Sequence, residues 1–242
     1  MAVQKIDDTV VINGSKYRTI SSDELRLASY QMGEQIHKEC DNDFCLLSIG
    51  HGGNDIAGYI VDYFRSIKNG NWEPHVFYVV TKSYGDNVQT DEFEMSQKLG
   101  KGVRKHIADI GLHVVVTDDV FDSGNTFGEV KEYVQEDVYG GGETDKIKSA
   151  AFVKESSKFS PDFTPEKKVP RDLWLIFPRE RGESGRIILR DHGLKDGIKG
   201  MYELGYDMGL VDNICRNSRF EAEEYQKIVY KIFTKNNGGN IK

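Results

Sequence analysis

The sequence of 242 residues predicts an α/β fold with a central parallel sheet flanked by helices. Short, continuously apolar runs alternate along the chain with segments whose apolar residues recur at helical spacing. Continuous apolar runs are typical of parallel strands, because such strands are buried on both faces. The alternation of the two patterns therefore favours a parallel sheet whose strands are connected by covering helices.

Five short apolar runs are predicted strands: residues 44–49, 75–80, 114–117, 147–153 and 173–177. The first predicted helix has Ser21 as its N-cap and Glu24 three positions later, which is the pattern of a capping box. Further helices are predicted around residues 56–64, 127–134 and 225–232. The last of these is amphipathic, and we expect its apolar face to pack on this domain or on a second subunit.

Two polar segments are predicted loops. Residues 82–101 are rich in polar side chains, and residues 155–171 hold three of the five prolines. Proline lacks a backbone donor and interrupts regular structure. The Asn- and Gly-rich tail after Lys235 is expected to fray. No internal repeat is found, and the length of 242 residues predicts a single domain, residues 1–242.

The composition excludes several functional classes. The formal net charge is −7, whereas a nucleic-acid-binding protein presents a basic face to the phosphate backbone. No apolar stretch reaches a membrane-spanning length and no signal-peptide pattern is found, so we expect a cytoplasmic protein without a membrane partner. The three cysteines have no paired spacing, which argues against a disulfide framework or a zinc site. A small phosphorylated ligand stays compatible with an acidic chain, because backbone amides and a divalent cation can hold it.

The most informative segment covers residues 113–127, with the sequence HVVVTDDVFDSGNTF. It is predicted to be a buried strand, two adjacent carboxylates, a short turn and a helix. Asp118 and Asp119 end the predicted strand at the carboxyl edge of the sheet, where open α/β sheets bind ligands. The amides at the helix N-terminus suit a phosphate, and Gly124 lets the backbone approach it closely. Carboxylates repel a neighbouring phosphate, so their presence here needs a reason. Hydrogen bonds from ribose hydroxyls and a bridging Mg²⁺ would supply one.

This segment resembles the signature of the type I phosphoribosyltransferase family. That signature is a hydrophobic strand, two acids, two apolar residues and then Asp-Ser/Thr-Gly-x-Thr, and every one of these positions matches here. The resemblance covers roughly residues 40–182 and implies a central parallel sheet with a small hood subdomain. The implied core spans about residues 40–155, the hood comes from the N-terminal segment and about 156–200, and a helical segment follows at 201–235.

The resemblance implies roles for the acids and the turn. Asp118 and Asp119 would hold the ribose of phosphoribosyl pyrophosphate, and Asp122 would act as the acid/base for the purine proton. Mg²⁺ is the implied cofactor, with Asp119 and Glu180 as its predicted protein ligands. The residues implied to hold the 5′-phosphate are Ser123, Gly124, Asn125 and Thr126.

Two further segments resemble loops of the 6-oxopurine branch of the family. His51, Gly52 and Gly53 follow the first core strand and resemble the loop that binds pyrophosphate through backbone amides. Ser83 and Tyr84 open the first polar segment and resemble the mobile catalytic loop, whose closure would exclude water from the reacting sugar.

The resemblance also implies how a base is recognised. Lys154 follows a predicted strand and would donate to the exocyclic oxygen of a 6-oxopurine. Trp174 would stack on the base, and the backbone of Leu175 or Ile176 would read its edge. Glu180 would contact the metal or the purine 2-position.

The implied reaction transfers the phosphoribosyl group to hypoxanthine, guanine or xanthine, giving a nucleoside 5′-monophosphate and pyrophosphate in purine salvage. A homodimer is expected, because the family commonly forms one. Two alternatives stay open. One is a phosphoribosyltransferase for another base, such as adenine, uracil or orotate. The other is a non-catalytic regulator that senses phosphoribosyl pyrophosphate with the same fold.

Overall fold

The structure is a computed structural model that describes residues 3–40, 42–50, 52–70, 72–85, 88–158 and 160–236. For residues 82–85, 88–94, 235 and 236 it describes the backbone only. The chain divides into two compact units. Asp23–Arg171 forms the core unit, and Met1–Ser22 together with Asp172–Lys242 forms the terminal unit.

Nine strands and seven helices follow one another in the described part of the chain. They are β1 (Val3–Ile6), β2 (Thr9–Ile12), β3 (Ser15–Thr19), α1 (Ser22–Cys40), β4 (Phe44–Ile49), α2 (Gly52–Ile67), β5 (His75–Gly85), β6 (Val88–Gln97), α3 (Lys101–Ile110), β7 (His113–Phe121), α4 (Asn125–Tyr133), β8 (Ile147–Val153), β9 (Leu173–Ile176), α5 (Arg181–Glu203), α6 (Met208–Asn217) and α7 (Ala222–Asn236).

The core unit is built on a five-stranded sheet in the order β6-β5-β4-β7-β8. Strands β5, β4, β7 and β8 run parallel, and β6 is antiparallel to β5 at one edge. All six residues of β4 are buried, as expected for the central strand. Helix α2 packs on β4 and β7, and residues of α3 and α4 join an apolar cluster formed by alternate residues of the same strands. The predicted parallel sheet between helices is therefore confirmed.

The expected loop over residues 82–101 is wrong in most of its length. Strand β5 continues to Gly85, and β6 returns antiparallel to it, with Lys82 opposite Glu94 and Tyr84 opposite Gln89. The segment has no apolar run because an edge hairpin is stabilised by main-chain hydrogen bonds to a strand already in the sheet, with little burial. Residues 86 and 87, between the two strands, lie outside the described residues.

The second expected loop, residues 155–171, is confirmed, and it lies along β8. Phe163 and Val169 form isolated parallel bridges with Ala150 and Lys154. The carboxylate of Asp162 accepts hydrogen bonds from the backbone N–H and the hydroxyl of Ser149, at 2.8 and 2.9 Å. The side chain of Gln35 in α1 exchanges two hydrogen bonds with the backbone of Thr164. The segment is thus attached to the core unit at both the sheet and a helix.

The terminal unit is a four-stranded sheet covered by helices. Its strand order is β1-β2-β3-β9, with antiparallel pairs except for β9, which lies parallel to β3 at the edge. Helix α5 packs on β1 and β2, and α6 and α7 pack on α5. The N-terminal strands were not predicted, since runs of four or five residues carry too few positions to show a period.

The helical part of the terminal unit contains the predicted amphipathic helix as α7. Its residues Tyr225 and Val229 are buried in the same apolar cluster as α5 and α6, so its apolar face packs within this unit. Helix α5 is broken at Gly193, whose φ of 75° and ψ of 170° are not helical. None of the described helices is long and apolar enough to span a membrane.

A glycine in α5 provides a test of this packing. A Cβ at Gly200 would clash with the buried side chain of Ile12 on β2. We expect Gly200→Ala to lower the free energy of unfolding by about 1–3 kcal/mol, because overpacking forces neighbouring groups to move. Gly58→Ala in α2, which meets nothing within 4 Å, should instead add roughly 0.5–1 kcal/mol through helix propensity. Urea unfolding measures both, and equal stabilisation by the two changes would contradict the packing described.

Candidate active site

Asp118 and Asp119 lie in an irregular part of β7. The register between β7 and β8 shifts between Thr117 and Val120, so the two acids occupy a bulge near the carboxyl end of the strand. Strand β7 runs on to Phe121 and is longer than predicted. One oxygen of each carboxylate accepts a hydrogen bond from the next backbone N–H, at 3.0 Å for Asp118 and 2.6 Å for Asp119. These bonds fix the orientation of both acids.

The turn at residues 122–126 links β7 to α4 and lies at the surface. Gly124 is the N-cap of α4 and has φ 83° and ψ 0°, a left-handed conformation that favours glycine. Asp122, Ser123 and Asn125 are exposed, while Thr126 is half-buried. The glycine N-cap itself offers no side-chain acceptor, and of the first N–H groups that of Asn125 donates to the Ser123 hydroxyl oxygen at 3.3 Å. The turn therefore has the polarity and the exposure that an anion site needs.

The start of α2, which follows β4, lies against the end of β7. A Cβ at Gly52 would lie 2.7 Å from the carboxylate carbon of Asp119, and one at Gly53 would clash with the backbone oxygen of Thr117. The Thr117 hydroxyl donates to the Gly53 carbonyl oxygen at 3.2 Å. Because β4 and β7 are parallel neighbours, their carboxyl ends bring these predicted residues together. His51 lies outside the described residues.

Two buried hydroxyls support this junction, and they were not predicted as site residues. Ser48 and Thr117 are fully buried in otherwise apolar strands. The Ser48 hydroxyl donates to the Asn54 side-chain oxygen at 2.6 Å, at the start of α2. The sequence signal that would have found both residues is a hydroxyl side chain inside a continuous apolar run. Burying such a hydroxyl without a hydrogen bond is costly, so it is expected to have a partner.

Lys154 and Asp122 form an ion pair. Their Nζ and Oδ2 atoms are 3.0 Å apart, and the side chains are 19% and 64% exposed. The Lys154 backbone N–H donates to the carbonyl oxygen of Phe121, which places the lysine beside the end of β7. Parallel pairing of β7 with β8 thus brings the predicted acid/base and the predicted base-recognition lysine together.

Ser83 and Tyr84 belong to β5, and their side chains lie outside the described residues. Their backbone is paired with β6 in a hairpin, as described above. The expectation that they open an irregular loop is therefore wrong, whereas their predicted catalytic role stays a prediction.

Trp174, Leu175 and Glu180 belong to the terminal unit. Trp174 lies in the edge strand β9 and is 46% exposed, whereas Leu175 is buried. The Ile176 carbonyl oxygen accepts from Ile20 N–H at 3.0 Å, so Ile176 faces β3. Because backbone groups alternate in direction along a strand, the N–H and C=O of Leu175 point away from β3. Glu180 ends the 3₁₀ turn Pro178–Glu180 before α5.

The predicted metal ligands fall in different units, Asp119 in the core unit and Glu180 in the terminal unit. Among the described residues, no group of three or more His, Cys, Asp or Glu side chains is placed to hold a metal ion. The donor set within the core unit is the adjacent pair Asp118 and Asp119. Two carboxylates suit Mg²⁺, which takes one or two from the protein and completes its octahedron with water and phosphate oxygens.

Sequence comparisons add no match: no protein-family model matches the chain, and no curated protein matches it significantly. Solved structures do match. One is a xanthine-guanine-hypoxanthine phosphoribosyltransferase from Helicobacter pylori, with 20% identity and a TM-score of 0.51 over 73% of this chain and 99% of that one. The chain has the type I phosphoribosyltransferase fold. A hypothetical protein from Neisseria gonorrhoeae with bound ppGpp is also similar, with 21% identity and a TM-score of 0.51 over 69% of this chain and 90% of that one.

The glycine contacts at the junction of β4 and β7 give a prediction. Gly53→Ala should lower the free energy of unfolding by about 1–3 kcal/mol, because the added Cβ meets backbone that cannot swing aside. Gly52→Ala should cost less, because its nearest contacts are Asp119 side-chain atoms at 2.7–2.9 Å, whereas Gly53 meets the Thr117 backbone oxygen at 2.2 Å. Chemical denaturation of both variants measures the difference. A Gly53→Ala protein as stable as the parent would show that the start of α2 is not in contact with β7.

Proposed function

We propose that this chain is a phosphoribosyltransferase that transfers the phosphoribosyl group of phosphoribosyl pyrophosphate to a 6-oxopurine. The observation that carries the proposal is the exposed turn at residues 122–126. It follows two oriented acids and begins α4 with a left-handed glycine, and one of those acids, Asp119, lies against Gly52 at the start of α2. Phosphoribosyl pyrophosphate requires acids that accept hydrogen bonds from its ribose, and backbone amides that bind its 5′-phosphate and its pyrophosphate.

The turn would hold the 5′-phosphate of the substrate. The first N–H groups of α4 and the hydroxyls of Ser123 and Thr126 supply donors, and the helix dipole adds partial positive charge. Gly124 keeps the approach to the backbone open. Such a site needs no basic side chain, which agrees with the acidic charge of the chain.

Asp118 and Asp119 would accept hydrogen bonds from the ribose hydroxyls. Their carboxylates are held by the following N–H groups, so they are oriented before the substrate arrives. Mg²⁺ bound near them would neutralise charge on the leaving pyrophosphate. The amides of the loop containing His51, Gly52 and Gly53 would contact that pyrophosphate.

Chemistry would take place at the anomeric carbon. The bond from that carbon to the pyrophosphate oxygen breaks, and a bond to a purine ring nitrogen forms. The purine gives up its imidazole proton, which Asp122 would accept as general base. Closure of Ser83 and Tyr84 over the sugar would exclude water from the cationic transition state.

Four residues have proposed roles in base recognition. Lys154 would donate to the 6-oxo group, an interaction that the amino group of adenine cannot replace. The exposed indole of Trp174 is free to stack on a flat ring, and the outward-facing backbone of Leu175 suits reading of its edge. Glu180 would contact the purine 2-position or the metal. The predicted homodimer and cytoplasmic location belong to the same proposal.

A nucleotide-binding regulator is the second candidate. The similar Neisseria protein with bound ppGpp supports it, because that ligand also combines a purine, a ribose and phosphates. A regulator of this kind would bind a guanine nucleotide or phosphoribosyl pyrophosphate without turnover.

One assay separates the candidates. The protein is incubated with phosphoribosyl pyrophosphate, Mg²⁺ and each of hypoxanthine, guanine, xanthine, adenine, uracil and orotate, and released pyrophosphate is measured. We expect turnover with the oxopurines. Turnover with only adenine or only a pyrimidine would show that this base, and not an oxopurine, is the substrate. Absence of turnover with every base, together with tight binding of ppGpp, would favour the regulator.

Asp122→Asn should lower kcat by ~10²–10⁴-fold, because the amide cannot accept the purine proton. The fold should survive, since the side chain is 64% exposed. Asp145→Asn is the matched control, because it makes the same change at an exposed aspartate in the turn before β8. Steady-state kinetics with the best oxopurine measures both variants, and an unchanged kcat in Asp122→Asn would remove this residue from the proton transfer.

Lys154→Met should raise the KM for an oxopurine by about 10- to 100-fold, because a charged hydrogen bond is lost. The KM for adenine should change far less, so discrimination between the two bases falls. Lys167→Met removes the same charge at an exposed position of the segment 155–171 and should leave both constants unchanged. Equal losses for adenine and the oxopurine would show that Lys154 does not read the 6-oxo group.

A further inference from the structure

A polar pair in the terminal unit, the buried Tyr17 and the half-buried His192, has no part in the proposed chemistry. The hydroxyl of Tyr17 in β3 lies 2.7 Å from Nε2 of His192 in α5. The two rings also meet edge to face, with centroids 5.6 Å apart and an interplanar angle of 89°. Tyr17 is only 5% exposed. This is a specific contact, in which both the hydrogen bond and the ring geometry fix how the helix meets the strand.

The surroundings keep the Tyr17 hydroxyl protonated. Burial is the main cause that raises the pKa of Tyr17, and the charge of Asp191 acts in the same direction. A hydrogen bond with the Ser15 side chain and the charge of Arg190 act in the opposite direction and are outweighed. Removing His192 would leave the buried hydroxyl with the Ser15 side chain as its remaining named partner, so part of its hydrogen bonding would be lost.

His192 occupies the last position before the break in α5. Gly193 has non-helical backbone angles, so α5 is kinked there. The orientation of the second half of the helix therefore does not fix that of the first half. A side-chain bond at this point therefore fixes the first half of the helix to β3.

Tyr17 also lies next to Trp174. The two residues are paired in the parallel register of β3 and β9. Ile176, two positions after Trp174, belongs to the same apolar cluster as Tyr17, so Trp174 points to this face of the sheet as well. Unlike its neighbours it is half exposed, so its indole extends beyond the edge of the packed cluster.

We propose that Tyr17 and His192 are positioning residues that hold Trp174 in a stacking orientation and so set the affinity for the purine base. The inference rests on the proposed function, in which Trp174 stacks on the base. An ordered Tyr17 ring restricts the rotamers of the neighbouring indole, which then loses less freedom when a base stacks on it. Neither Tyr17 nor His192 touches the reacting atoms.

The first test needs no substrate. The chain has two tryptophans, so Trp72→Phe leaves Trp174 as the only indole emitter. In this background Tyr17→Phe removes one hydroxyl and keeps the ring. We expect acrylamide to quench Trp174 more efficiently in that variant, with a red-shifted emission. If Trp72→Phe does not fold, the difference between spectra recorded with and without Trp174→Phe isolates the same signal.

The second test is kinetic. Tyr17→Phe and His192→Ala should each raise the KM for the oxopurine by about 3- to 10-fold, the size of one neutral hydrogen bond. The KM for phosphoribosyl pyrophosphate and kcat should stay within about twofold, since the proposed function gives neither residue a part in binding the sugar or its phosphates. The double variant Tyr17→Phe/His192→Ala should raise the KM for the oxopurine little more than either single variant, because the two groups act as a unit. His192→Gln, which keeps a hydrogen-bonding amide, should recover part of the loss.

Tyr139→Phe is the matched control. Its hydroxyl donates to the Leu112 carbonyl oxygen at 2.5 Å in the core unit, so it loses a comparable bond without touching the terminal unit. It should be less stable, yet with an unchanged KM for the base and unchanged quenching of Trp174. Unchanged quenching in Tyr17→Phe overturns the inference. So does a rise in the KM for the base that Tyr139→Phe shares.

The two proposals fail in different ways. If the parent protein turns over no base, the proposed function fails, and the quenching of Trp174 still decides whether Tyr17 and His192 position it. If the parent turns over an oxopurine while Tyr17→Phe keeps the parental KM for it, this inference fails and the proposed function stands.

Discussion

The close contact between Gly52 and Gly53, at the start of α2, and the end of β7 is the constraint on which the candidate site depends. Parallel pairing of β4 with β7 brings two distant parts of the sequence side by side, and residues without a Cβ allow them to approach this closely. The buried hydroxyls of Ser48 and Thr117 then satisfy polar groups at the junction. The acids and the helix start are positioned by this backbone arrangement before any side chain contributes.

The electrostatics of the core unit follow from the same arrangement. The chain has a net negative charge, which disfavours binding of a phosphate. A helix N-terminus offers hydrogen-bond donors and partial positive charge without any basic side chain. Lys154, which lies at the turn, is held against Asp122, and its side chain is 19% exposed. A ligand that binds either side chain would therefore compete with this ion pair.

Sequence patterns predicted the parallel sheet, most of its helices and the turn at residues 122–126, because long apolar runs and glycine-containing turns leave strong local signals. They failed where stability comes from partners far away in the chain. The hairpin of β5 and β6 was expected to be a loop, since main-chain pairing between two strands does not require an apolar sequence pattern. The bulge at Asp118 and Asp119 leaves no sequence signal either, because a register shift exists only between two strands. The pairing of Tyr17 with Trp174 joins residues more than 150 positions apart, which no local period can reveal.

The segment that follows β8 has a consequence for how this protein behaves in solution. A sheet that ends in a bare strand offers a row of unsatisfied amides and carbonyls to any passing chain. Here Phe163 and Val169 bridge to β8, and the Asp162 carboxylate occupies the Ser149 amide. The segment 155–171 thus covers the edge of β8 and prevents edge-to-edge association. Deleting it would expose β8, which could then pair with other copies of the chain and aggregate.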